Sequence, residues 1–144
     1  MTIRPYTGWS GAKNVRLASY SSDAGATWSD AVAVPALVDW GFADEGSVCS
    51  DPARPRLFFV HPDSHERANL TLYRSTDDGQ TWGDLVTIWP YSAAYSDSAV
   101  LDPSSDGGEA NRVGILFERN NNGQAAAICF TTATYDDETD TSSR

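Results

Sequence analysis

The chain has 144 residues, enough for one ordinary domain with its own core, and its 20 acidic against 10 basic residues give a formal net charge of −10. That balance argues against bulk electrostatic binding to nucleic acid or to an anionic membrane surface. No basic segment followed by an apolar stretch opens the sequence, and no apolar run is long enough to span a membrane. In chain order, period-two alternation predicts strands over Asn14–Tyr20, Val32–Pro35, Gly46–Ser50, Arg56–His61, Asn69–Ser75, Leu85–Trp89, Tyr95–Leu101, Arg112–Glu118 and Ala125–Thr132. Met1–Pro5 is also in strand-like register, and no stretch carries a 3.6-residue pattern. Between the strands lie turn-forming runs, among them Asp51–Pro55, Pro62–Ser64, Asp102–Gly108 and Asn120–Gly123. The expected fold class is therefore all-β. Asp136–Arg144 reads as a disordered acidic tail behind a domain over residues 1–135.

One eight-residue pattern occurs twice. Ser21, Asp23, Gly25, Thr27 and Trp28 recur as Ser75, Asp77, Gly79, Thr81 and Trp82, 54 residues later, giving S-x-D-x-G-x-T-W in both places. Each copy joins two strand-like runs, as the turn of a β-hairpin does. The residue types suit a turn: a short Asp side chain accepts nearby backbone N–H groups, Gly supplies a positive φ, and Trp packs back over the hairpin. A repeat near 50 residues made of short strands indicates the blades of a β-propeller. The pattern resembles the Asp-box, or BNR repeat, of the sialidase (neuraminidase) family. In that family the box lies on the outer rim of the propeller and plays a structural part, so chemistry must come from other residues.

The order of further motifs carries the resemblance. His61-Pro-Asp-Ser-His-Glu-Arg67 precedes the second box. Ser92-Ala-Ala-Tyr95-Ser follows it, and Val113-Gly-Ile-Leu-Phe-Glu118 comes last, with 28 residues from Arg67 to Tyr95 and 23 from Tyr95 to Glu118. This order is similar to the C-terminal half of sialidases. The resemblance implies that Arg67 belongs to the arginine triad for the substrate carboxylate, that Tyr95 is the nucleophile, and that Glu118 buttresses a triad arginine. Met1-Thr-Ile-Arg4, ahead of the first box, resembles the segment that carries a second triad arginine, and this makes Arg4 a further carboxylate ligand. Arg16, in the following strand, is expected at the rim or a subsite, and Glu45 near the mouth of the site.

The chemistry explains these residue types. A sialoside bears its carboxylate on the anomeric carbon, which calls for the planar fork of Arg rather than the point charge of Lys. That carboxylate would repel an incoming Asp or Glu, so a neutral nucleophile is favoured, and glycosidases with a tyrosine nucleophile depart from the usual two-carboxylate scheme in this way. Free Tyr has a pKa near 10 and needs a neighbouring base. No base is identified by motif.

The resulting expectation is a partial six-bladed sialidase-type propeller of about two and a half to three blades, lacking the N-terminal half with its acid, base and first arginine. Its function is that of an exo-α-sialidase, a retaining hydrolase acting on sialylated glycans without metal or cofactor and inactive as this chain alone. A catalytically silent Asp-box propeller, serving as a glycan-binding or interaction module, is the alternative, and a related glycosidase or trans-sialidase with a different acceptor is a third. Cys49 and Cys129 lack metal-type spacing and are expected as buried thiols; His61 and His65 are expected as loop histidines.

Overall fold

The computed structural model describes residues 2–3, 15–39, 45–64, 66–102, 111–121 and 124–136, and within these it is all-β. The strands are β1 (Thr2–Ile3), β2 (Val15–Ala18), β3 (Val32–Val38), β4 (Ser47–Ser50), β5 (Leu57–Pro62), β6 (Ala68–Ser75), β7 (Gly83–Leu101), β8 (Arg112–Asn121) and β9 (Gln124–Thr134). β1–β3 form one antiparallel sheet, and β4–β9 follow one another in a second, each pair antiparallel. No helix among the described residues is long and apolar enough to cross a membrane.

The two predicted strands Leu85–Trp89 and Tyr95–Leu101 are one. β7 runs for 19 residues, its first half pairing with β6 and its second half with β8. Pro90 lacks an N–H, but it falls where the register with β6 slips between Leu70↔Trp89 and Ala68↔Ser92, so no ladder bond is lost to it. A second irregularity, between Ala93 and Ser96, redirects the strand toward β8. β7 is thus the outer strand of one blade and the first strand of the next, which makes the fold a partial β-propeller. β3 likewise outlasts its predicted end at Pro35, because Pro35 lies in an irregularity between Arg16↔Val34 and Val15↔Val38.

β5, within the middle blade, is buried on both faces, which is why it reads as the near-continuous apolar run Leu57-Phe-Phe-Val60. Successive side chains alternate. Phe58 and Val60 pack with Leu70, Leu72, Val113 and Ile115 toward the following blade. Phe59 packs with Tyr73, Ala18, Val34 and Leu37 toward the preceding one. Phe59 is fully buried, with Trp82 edge-on at 5.9 Å and the Arg16 guanidinium 5.5 Å above its ring.

Arg16 is therefore an interior residue, not a rim or subsite one. It is 4% exposed and lies 3.7 Å from Asp39, which is also buried. His61, expected in a loop, lies within β5 in phase with Phe59 and is fully buried between the Phe59 and Tyr73 rings. Neither of its ring nitrogens has a hydrogen-bond partner of good geometry among the described residues. Burial, and then the Arg16 charge, pull its pKa down to about 3. Cys49 and Cys129 are free and only partly buried, both against the core between the last two blades. Asp136, expected to open the tail, accepts a 3.0 Å hydrogen bond on its carbonyl from Arg56; residues 137–144 lie outside the described residues.

Both Asp-boxes close hairpins by the same bonds. Ser21 Oγ donates to Asp23 Oδ1 at 2.8 Å and accepts from Gly25 N at 2.8 Å; Asp23 accepts from Thr27 N at 2.9 Å and Thr27 Oγ1 at 2.6 Å; Trp28 Nε1 donates to Gly25 O at 3.0 Å. Ser75, Asp77, Gly79, Thr81 and Trp82 repeat every contact, at 2.8, 2.9, 2.8, 2.6 and 2.9 Å. Gly25 and Gly79 have φ of 89° and 83°, and the residues before them, Ala24 and Asp78, also enter the left-handed region at 58°. Hydrogen bonds, first from the Thr side chain, lower each Asp to about pKa 2. Tyr20 Oη donates to Gly79 O at 2.9 Å, so the two boxes share one rim.

Two outcomes follow. Phe59→Ala should cost about 3–5 kcal/mol in urea unfolding, because the cavity opens between two blades that cannot both collapse into it. His61 binds its proton more weakly folded (about 3) than unfolded (6.5), so the unfolded state gains protons across that window and stability should fall as pH drops from 6.5 toward 3. The Asp-boxes add a further loss between 3.8 and about 2. Urea midpoints measured from neutral pH down to pH 4 should decline for the wild type and be nearly flat for His61→Leu.

Candidate functional site

Arg67 and Tyr95 meet at the end of β6 opposite the Asp-box. β6 is eight residues long, so about 25 Å separate Arg67 from the box at its other end. The Arg67 carbonyl accepts a 2.9 Å hydrogen bond from Ala93 N, which fixes the chain just before β6 against the bend of β7. Asn69 then takes φ 58° at the slip between Ala68 and Leu70 and anchors its amide on Asp63 O at 3.0 Å. This local irregularity lets Arg67 leave the sheet and lie over β7, where its guanidinium sits 5.3 Å from the Tyr95 ring centroid.

Tyr95 stands in the β7 irregularity between Ala93 and Ser96. Ala93 and Ala94 are fully buried, and Ser96 Oγ donates to Val60 O at 3.3 Å beneath the strand, so Tyr95 is turned outward and is 39% exposed. Opposite it, Phe117 pairs with Ser96 and Arg119 with Ala93, which leaves Glu118 facing the irregular stretch. Tyr95 and Glu118 line a cleft of about 510 Å³, of ordinary size for a small-ligand site. Glu45 and Asp97 add two more carboxylates, and Val48, Leu116 and Ile128 an apolar wall.

The floor joins two blades. Asp97 Oδ1 accepts from Ser47 Oγ of β4 at 2.9 Å and from Ser98 N at 2.9 Å, and Ser98 N and Ser98 Oγ each lie 3.0 Å from Ser47 Oγ. Gly46 permits this approach: a Cβ there would lie 2.5 Å from Phe59 Cζ and 3.1 Å from Val60 O. No group of three or more His, Cys, Asp or Glu among the described residues is arranged to hold a metal ion.

Of the residues singled out in sequence, the fold stacks Arg67 on Tyr95 and sets Tyr95, Glu118 and Glu45 along one cleft, with Arg67 beside that cleft and not in its lining. Arg4 and His65 lie outside the described residues. The Asp-box residues do not line the cleft. Asp97 and Ser47 carry no motif signal beyond Asp97 lying two residues after Tyr95 on a strand, which puts both on one face.

A match over residues 1–107 to the family described as BNR repeat-like domain accompanies this geometry. The chain belongs to that family. BNR repeat-like domains occur in sialidase-type propellers, in other glycosidases and in proteins without catalytic activity. The match spans both Asp-boxes, Arg67 and Tyr95, and ends before Glu118.

Gly46→Ala should cost about 1–3 kcal/mol in urea unfolding, since the added methyl can be accommodated only by moving Phe59 or β4.

Proposed function

We propose that this BNR repeat-like chain carries part of the active site of an exo-α-sialidase, a retaining glycoside hydrolase that removes terminal sialic acid from glycoconjugates. The observation that carries the proposal is the placement of the Arg67 guanidinium 5.3 Å from the Tyr95 ring, with Tyr95 opening into a cleft it shares with Glu118. An anionic sugar would set its carboxylate toward Arg67, with Arg4 as a second ligand. The Tyr95 Oη would then lie beside the anomeric carbon and bond to it as the glycosidic bond breaks. The leaving oxygen takes up a proton from a general acid, and the Tyr95 proton passes to a base. Water then cleaves the tyrosyl–sugar bond and returns Tyr95 to its phenol form with net retention. Glu118 keeps the triad arginines oriented, as the resemblance implies.

A catalytically silent propeller that binds glycans is the second reading, favoured by the occurrence of this family in proteins without catalytic activity. In it Arg67 still binds the sugar, and Tyr95 is only a wall. Hydrolysis of a fluorogenic sialoside separates the two, assayed with this chain and with an extended protein in which further blades complete the propeller. The extended protein should turn the substrate over while this chain alone does not. Tyr95→Phe in the extended protein, which keeps the ring beneath Arg67, should lower kcat by at least the about 10²- to 10⁴-fold typical of a lost reacting group. Arg67→Lys should chiefly raise KM, by about tenfold, because it keeps charge and loses the fork. Undiminished turnover by Tyr95→Phe would remove the mechanism, and absence of turnover in every form would favour the silent module.

A further inference from the structure

We infer that Asp97 is a specificity-determining residue of this cleft, the acceptor that reads a hydroxyl of the bound sugar. The inference rests on the sialoside reading of Tyr95 and Arg67. Asp97 lies two residues beyond Tyr95 on β7, so the two side chains leave the strand on the same face and line the same cleft. Its carboxylate is already oriented before any ligand arrives. Oδ1 is held by Ser47 Oγ and by Ser98 N, both at 2.9 Å, and Ser47 is in turn held by Ser98. Oδ2 takes no hydrogen bond among the described residues, and the side chain is exposed in the cleft.

A tie between strands needs one acceptor oxygen. A carboxylate fixed through one oxygen keeps a second, acceptor-only oxygen in the cleft, and such a group accepts hydroxyl donors and repels another carboxylate. Arg67, which lies on the Tyr95 ring beside the cleft and not in its lining, does the converse. The two groups thus give the cleft a direction: the sugar carboxylate goes to Arg67, and a hydroxyl elsewhere on the ring or its side chain goes to Asp97. The apolar wall of Val48, Leu116 and Ile128 suits the C–H face of a sugar between them. Because the bond is charge-assisted and oriented in advance, its loss should weaken binding by about tenfold or more.

The test is ligand-observed NMR titration of the chain with N-acetylneuraminic acid and with its monodeoxy analogues, each lacking one hydroxyl. Wild type, Asp97→Ala, Asp97→Asn, Ser47→Ala and Arg67→Ala are compared, with thermal melts to confirm folding. Asp97→Ala should weaken the parent sugar and every analogue but one, and that analogue should bind wild type and variant alike. Asp97→Asn should recover part of the loss, and Ser47→Ala should show a smaller loss with the same exempt analogue. An equal loss across all analogues would make Asp97 a strand tie only, and no loss would remove it from the site; either overturns the inference. If the parent sugar binds wild type and Arg67→Ala equally, the sialoside reading fails independently of Asp97. Absence of binding to the wild type overturns the inference, while turnover of the fluorogenic sialoside decides the sialoside reading separately.

Discussion

Everything near the cleft depends on β7 serving two blades at once. A strand that pairs with β6 over one half and β8 over the other must bend between them, and a bend in a ladder leaves backbone groups to be satisfied some other way. Here the cost is met locally. Pro90 brings no N–H to the first slip, Ala93 N finds the Arg67 carbonyl, and small side chains at Ala93 and Ala94 let the turned strand sit directly on the core. Side chains beyond the bend emerge on a new face, and the first large one is Tyr95.

The middle blade supplies the rigidity that this arrangement needs. With Phe58 and Val60 on one side of β5 and Phe59 and His61 on the other, no face of it is left to solvent. Burying His61 and the Arg16–Asp39 pair between blades gives less than an apolar filling would, since each group loses hydration that its neighbours only partly replace. The far face of β8 and β9 contrasts with this interior: Leu116 and Ile128, which wall the cleft, lie there exposed together with Phe130.

Local chemistry was readable in the sequence and long-range pairing was not. The short apolar run within Arg56–His61 and the alternation over Asn69–Ser75 mark strands whatever their neighbours are. The Asp-box turns were readable for the same reason, since Ser, Asp, Gly and Thr satisfy one another within seven residues. Leu85–Trp89 and Tyr95–Leu101 read as two strands; that they are one, with Pro90 at a slip in the ladder, depends on β6. His61 and Arg16 read as loop and rim residues because their burial depends on two blades meeting. Arg67, Tyr95 and Glu118 were singled out through motif order. The anchoring of Asp97 was not, because its partner Ser47 is 50 residues away and no local pattern links them.

The bond from Tyr20 to Gly79 O has a consequence for how such a chain can diversify. It spaces neighbouring repeats at the rim, where each box is already closed by its own side chains. The connections at the opposite ends of the strands, among them the turn from Pro62 to Arg67, have no part in that spacing. They can lengthen, shorten or change in character while the rim keeps the blades in step, so this architecture leaves the connections freest to change at the end of the strands where Arg67 and Tyr95 lie.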